Sequence, residues 1–401
     1  MAVDRLAMGW TIRVATEADV PALLRADWAA FGGRPTDAQI DTYRAFLEAE
    51  RCFLAEDGDR VVGSAGNLSL ELTVPGPVTV PTAGVTVVGV MPTHRRQGIL
   101  TALMARIADD ARRRGEPVAA LLASESTIYR RFGYGPAVMS SAVELERTHA
   151  RLRRPPEVAG RVRILDEDEM KTVLPAIHDR YRRQQPGEVS RKPGWWARYL
   201  EDPPERRGGA GARFAAVWED DQGYVTYRVT QNWETGFPSG TLSIEHLLAV
   251  DPAVRAGLWQ FCFGIDLIAP IKAYLAVDDP LRWMLVDPRR LRTTSVTDFL
   301  WVNLIDVEAA LSARSYPTDA GLVIEVAGDG RYRLAGGACR RTDDLADLAL
   351  EAPDLGAAYL GGVRFATLAR AGLVTELSAG ALARADAAFA TVPGPISTTG
   401  F

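Results

Sequence analysis

Val87-Val-Gly-Val-Met-Pro-Thr-His-Arg-Arg-Gln-Gly-Ile-Leu100 decides how this chain is read: an apolar strand, a basic loop with one glycine, and the first turn of a helix. After the loop, Ile99, Leu100, Leu103, Met104, Ile107, Ala108 and Ala111 recur at helical spacing, while Arg106, Asp109, Asp110 and Arg112 fall on the opposite face. Arg112, Arg113 and Arg114 stand where cations suit the helix dipole, and Gly115 ends the helix. Residues 117–123, Pro-Val-Ala-Ala-Leu-Leu-Ala, then read as a buried strand. A helix N-terminus offers unpaired N–H groups and positive potential, and a glycine lets a phosphate approach the backbone, so this loop is an anion site. It lacks the Gly-Lys-Ser/Thr of a P-loop and two of the three glycines of a dinucleotide fingerprint.

Working outward, 401 residues predict two or three domains with substantial cores. The net charge of −5 argues against a nucleic-acid binder and mildly favours a cationic small molecule as partner. Three scattered cysteines, Cys52, Cys262 and Cys339, suit a reducing compartment and form no spaced metal site. The four histidines are equally scattered, so no metal is expected. No run reaches the ~18 apolar residues of a membrane span and no secretory leader is visible, which predicts a cytoplasmic protein.

Before the loop, Ile12-Arg-Val14 reads as a strand, and Thr16 with Asp19 as a capping box for a helix running towards Phe31. Cys52–Ala55 and Arg60–Ala65 flank a Glu-Asp-Gly-Asp hairpin turn, and Leu68–Val74 and Val78–Val90 follow as strands. A charged, proline-bearing stretch from Arg147 to Arg163 marks a boundary. Beyond it the theme repeats: Phe214–Trp218 and Tyr224–Arg228 form a hairpin, then Leu242–Val250 leads into a helix capped by Asp251 with Pro252 at its first position. No Arg-Arg-x-Gly stands at that turn, so the second copy is read as lacking a cofactor site. A third region starts near Thr297. It holds a hairpin of Leu322–Val326 and Arg331–Leu334 and closes on the irregular tail Pro393-Gly-Pro-Ile-Ser-Thr-Thr-Gly-Phe401.

Arg95-Arg96-Gln97-Gly98-Ile99-Leu100 resembles the pyrophosphate loop of acetyl-CoA-dependent GNAT N-acetyltransferases, Gln/Arg-x-x-Gly-x-Gly/Ala, with Leu100 departing from the small final residue. From end to end the chain resembles the Eis (enhanced intracellular survival) family. The stretches that carry this are Leu72–Gly76, Pro81–Gly84, Thr93–Gly98, Val118–Leu121, Ile128–Pro136, Tyr359–Gly362 and the terminal Phe401. The resemblance implies an α/β (α+β) fold of two tandem GNAT folds followed by a sterol-carrier-protein-like domain, spanning 1–148, 160–296 and 297–401. It also implies a homo-oligomer, a hexamer, with acetyl-CoA as co-substrate and a small-molecule amine as acceptor.

Carried over residue by residue, Val88, Gly89 and Val90 would bind the pantetheine arm. Arg96, Gln97, Gly98, Ile99, Leu100 and Thr101 would hold the pyrophosphate, with Arg95 adjoining, and Ser124 and Glu125 would also touch the cofactor. Tyr129 would be the general acid, and the α-carboxylate of Phe401 the base. The expected acceptor is an aminoglycoside or other polyamine, as in antibiotic resistance, with Glu125 and Asp298 as candidate carboxylates for its ammonium groups. A phenol of pKa ~10 protonating a thiolate of conjugate-acid pKa ~8.5 costs about 2 kcal/mol, feasible for a positioned acid. A terminal carboxylate of pKa ~3.5 taking a proton from an ammonium of pKa ~10 faces roughly 9 kcal/mol, so it is better suited to anchoring the ammonium until the C–N bond forms. Two alternatives stay open. One is acylation of peptide lysine or N-terminal amines, since N-myristoyltransferases also join two GNAT folds and use a terminal carboxylate; the other is a lipid-binding carrier built on the third region.

Overall fold

The structure is a computed structural model and describes residues 9–158, 161–319 and 321–401. The first strand, β1 (Thr11–Val14), leads into the expected capping box, where the Thr16 N–H donates to Asp19 Oδ2 at 2.8 Å. Helices α1 (Val20–Ala30) and α2 (Asp37–Arg44) follow, then β2 (Cys52–Asp57), β3 (Arg60–Val74) and β4 (Val78–Val90). The basic loop enters α3 (Ile99–Arg113), and the chain continues through β5 (Val118–Leu121), α4 (Ser126–Tyr129), β6 (Gly135–Pro136) and β7 (Met139–Glu146).

The sequence splits β3 into two strands; the structure makes it one, with the glycines at 63 and 66 inside it. A register shift between Ser64 and Gly66 marks a bulge in β4, where Val87 takes a left-handed φ of 46° and its carbonyl accepts from Ser64 Oγ at 2.9 Å. Parallel pairing of β4 with β5 covers only Thr82–Gly84 against Val118–Ala120. The two strands are free to part towards Val90. Helix α3 packs its apolar face on this sheet. It is also fixed by fully buried Arg51, which donates to Asp110 Oδ2 at 2.9 Å and to both Glu116 oxygens at 2.8 and 2.6 Å.

Strand membership crosses the expected domain limits. The first sheet runs β1-β2-β3-β4-β5, then Trp301–Leu304, then β6. Trp301–Leu304, expected in the unit that starts at 297, therefore pairs antiparallel with β5, Trp301 opposite Leu121 and Leu304 opposite Val118. Strand β7, expected in the unit that ends at 148, lies in the second sheet between Arg292–Asp298 and Ile268–Ala276. The physical reason is that an apolar run specifies a buried strand and not the strand it pairs with.

The second sheet continues through Gly240–Ala249, Gly223–Thr230, Phe214–Trp218 and Val162–Ile164. Its helix Pro252–Phe263 is capped as expected, Asp251 accepting from the N–H groups of Ala253 and Val254. A third, five-stranded sheet is centred on Leu322–Val326, and the buried helix Ala352–Ala358 joins it to β6 and Trp301–Leu304. Among the described residues no helix is long and apolar enough to cross a membrane.

Candidate active site

The basic loop lies where it was expected, at the N-terminus of α3. Gly98 sits at the N-cap of α3 with φ 83° and no side-chain cap, so the first N–H groups of the helix have no partner from the cap. Arg96 also takes a left-handed φ of 62°, and Arg95 is steadied by a 2.9 Å hydrogen bond from its guanidinium to the Ala30 carbonyl. His94 braces the turn through Asp57 at 3.1 Å.

A cavity of about 430 Å³ opens above the loop, where β4 and β5 part. Its lining brings together the expected Val88, Gly89, Val90, Arg95, Arg96, Gly98, Ile99, Leu100, Thr101, Ser124, Glu125 and Tyr129. Gln97 is exposed and stays outside the lining. Ala30, Phe31, Ile128 and Arg131 join it without having been anticipated.

A second cavity of about 350 Å³ adjoins the first and shares Phe31, Val88, Ser124 and Tyr129 with it. Tyr129 is buried and stands on the common wall. Burial pushes its phenol up, as do the carboxylates of Asp27 and Glu125, while a hydrogen bond with Ser124 opposes them, so Tyr129 keeps its proton at neutral pH. Its loop is held from outside: neighbouring Arg130 grips Asp354 of the third region at 2.8 and 3.0 Å.

Phe401 and Gly400 reach this second cavity. The tail is carried there by the second region. Ile396 N–H donates to the Pro186 carbonyl at 3.0 Å, and Thr398 N–H donates to fully buried Glu188 at 2.8 Å. Arg191 donates to Thr399 Oγ1 at 2.8 Å and to the Thr398 carbonyl at 3.1 Å, and Trp195 Nε1 donates to the Gly400 carbonyl at 2.6 Å. The His246 ring lies 3.0 Å from the Thr398 carbonyl. None of these anchors was anticipated, because partners 152 to 210 residues apart leave no local signal.

The two expected substrate carboxylates do not meet there. Glu125 lines the first cavity only, and Asp298 lines neither; it accepts the indole N–H of Trp301 at 2.6 Å. Asp27 lies in the second cavity instead. Its signal is present in α1, where an aspartate follows Val20, Leu23 and Leu24 on the buried stripe.

Residues 11–137 and residues 187–303 each match the family described as Acetyltransferase (GNAT) domain, and residues 307–397 match the Sterol carrier protein domain. The N-acetyltransferase Eis of Mycobacterium tuberculosis is 35% identical over 94% of this chain and 96% of its own. The chain belongs to the Eis family of N-acetyltransferases.

An uncharacterized N-acetyltransferase of Streptomyces avermitilis is 40% identical to this Eis-family chain, covering 96% of it and 99% of the relative. The crystal structure of Eis1 from Mycobacterium abscessus superposes with a TM-score of 0.89 at 35% identity, over 98% of this chain and 100% of that one. Two tandem GNAT folds followed by a sterol-carrier-like domain, with the activity of an N-acetyltransferase, are therefore the fold and reaction class of this Eis relative. The second GNAT match explains the parting of Gly240–Ala249 from Ile268–Ala276, which repeats that of β4 from β5. There the gap forms a cavity of about 380 Å³, one wall of which is the tail at Pro393, Gly394, Ile396 and Thr398.

Proposed function

We propose that this chain transfers the acetyl group of acetyl-CoA to an amine of an aminoglycoside or similar polyamine, with Tyr129 as general acid and the α-carboxylate of Phe401 as base. One observation carries the reading: Tyr129 stands on the wall between the cavity over the basic loop and the cavity that Phe401 enters. The residues present fit the co-substrate. The uncapped start of α3 and Arg95 and Arg96 suit its pyrophosphate, and Val88, Gly89 and Val90 suit its amide-bearing arm. Bound, acetyl-CoA supplies an activated acetyl thioester. Tyr129 gives its proton to the departing sulfur, and the Phe401 carboxylate anchors the acceptor's ammonium and accepts a proton as the C–N bond forms. Exposed Tyr274, Val277, Trp283 and Val286 support the proposed self-assembly into a hexamer.

The test is a panel of aminoglycosides, spermidine and lysine peptides, read by release of free thiol. Aminoglycosides or spermidine should lead the panel, and Tyr129→Phe should lower kcat at least 100-fold with affinity for CoA retained. Faster turnover of lysine peptides would replace this acceptor assignment, and an unchanged kcat in Tyr129→Phe would remove the phenol from its role.

A further inference from the structure

The second cavity contains a carboxylate that nothing so far employs. Asp27 is 8% exposed, and its Oδ1 is fully buried with no hydrogen-bond partner among the described residues. A buried, unpaired carboxylate is costly to keep unless a ligand completes it. Its placement is built into the sheet: a Cβ at Gly89 would lie 2.9 Å from Asp27 Cα and 3.0 Å from Oδ1, so the glycine lets α1 press this side chain against β4.

The groups around it come from every element of the cavity. They are the Tyr129 phenol, the tail at Phe401, the hydroxyl of Tyr43 and the Arg198 guanidinium. Arg198, the cation among them, is directed elsewhere: it lies 4.9 Å over the Tyr43 ring and donates to that hydroxyl at 3.1 Å. Among the described residues the carboxylate is left without a counter-cation.

We propose that Asp27, in place of the Phe401 carboxylate, receives the reacting ammonium of the acceptor amine and takes its first proton before acyl transfer, while Phe401 keeps the role of accepting the second proton as the C–N bond forms. This deepens the acceptor reading above and rests on it. The N–H bond of the ammonium breaks and an O–H bond forms at Oδ1. The nitrogen keeps its lone pair, the two charges cancel, and the proton returns to solvent once the product has left. Burial raises the Asp27 carboxyl to about 6, so its gap to an ammonium of pKa ~10 is about 4 units, against roughly 6 for an ordinary chain terminus. With the tail on the other wall, the cavity suits acceptors that carry two cationic nitrogens. That selects polyamines over monoamines.

Asp27→Asn keeps the shape and removes the charge. Spermidine and kanamycin are titrated calorimetrically into the protein without acetyl-CoA at pH 6, in buffers of differing ionisation enthalpy. Wild type should release a fraction of a proton on binding, and Asp27→Asn should bind at least tenfold more weakly and release none. CoA affinity should be unchanged, and Tm at pH 8 should equal or exceed that of wild type, since an unpaired buried charge has gone. The activity profile of wild type should rise through about pH 6 and lose that limb in the variant.

Equal amine affinity and equal proton release in Asp27→Asn would overturn the proposal. So would failure of both amines to bind wild type, or failure of both Asp27→Asn and Asp27→Ser to fold, which would show a structural role. Because amine binding is read without acetyl-CoA, a failure of the Tyr129 assignment would leave these results intact and distinguishable.

Discussion

Gly98 and Arg96 share a backbone conformation that L-residues avoid, and they use it differently. Gly98 has room for a methyl group, the nearest atom to a Cβ being Trp10 Cζ2 at 4.0 Å, so only its φ of 83° resists substitution. Gly98→Ala should cost about 1–2 kcal/mol in unfolding free energy and weaken CoA severalfold, as chemical denaturation and a CoA titration would show. Arg96 already bears such strain at φ 62°. Arg96→Gly should therefore gain stability while losing CoA affinity, the opposite pairing of effects, and a loss of both would assign Arg96 a structural role. The loop was legible because its signal is local, neighbours in sequence being neighbours in the cavity, whereas Tyr129 was picked out only through the family resemblance. Asp27 was legible only as a fault in an apolar stripe. The chosen Asp298 proved to be a partner of Trp301, an assignment that needs the tertiary pairing of the two residues to be seen.

At the scale of elements, the tail's route to the site depends on a clamp whose imidazoles are neutral: His246, and buried His178, whose Nε2 lies 3.8 Å from the tail-holding Glu188. Burial, reinforced by the charge of Arg191, lowers His178 to about 4, and burial also lowers His246. In the unfolded chain His178 would protonate near 6.5, while in the fold it resists until about 4, so stability is lost as pH falls through that window. The full effect is about 3.5 kcal/mol, at about 1.4 for each unit of pH. Asp27 opposes it, since its raised carboxyl protonates first in the fold and adds stability as pH falls from about 6. His178→Phe, which keeps an aromatic face towards Trp196, should flatten the loss between pH 6.5 and 4.5 in urea unfolding. An unaltered pH dependence would place the acid sensitivity elsewhere. The elements themselves were largely readable from caps and periodicity, as Thr16 and Asp251 show. One exception is β3, where two glycines looked like punctuation but lie within one continuous strand, and the helices Asp37–Arg44, Glu167–Arg182 and Pro193–Leu200 were not anticipated.

For the whole molecule, hairpins could be paired from sequence because their turns are short, whereas the two exchanged strands could not. Trp301–Leu304 and β7 each lie in a sheet built mainly from a distant part of the chain, and apolar composition carries no address. A chain ending at 296 keeps every residue of the basic loop but leaves the β5 edge unpaired, and it should fail to bind CoA or resist proteolysis; a compact, CoA-binding fragment would contradict that dependence. The same exchange sets a timetable on the ribosome. Synthesis at about 5–20 residues per second puts roughly 10–40 s between β5 and the strand that covers it. For that interval Val118-Ala-Ala-Leu121 is a bare apolar edge on a nascent chain, the kind of surface that holdase chaperones bind. Translation stalled before residue 301 should leave the catalytic sheet open to protease, and stalling well past 304 should close it. The interleaving that secures the finished enzyme is thus also the interval in which it is most easily lost to aggregation.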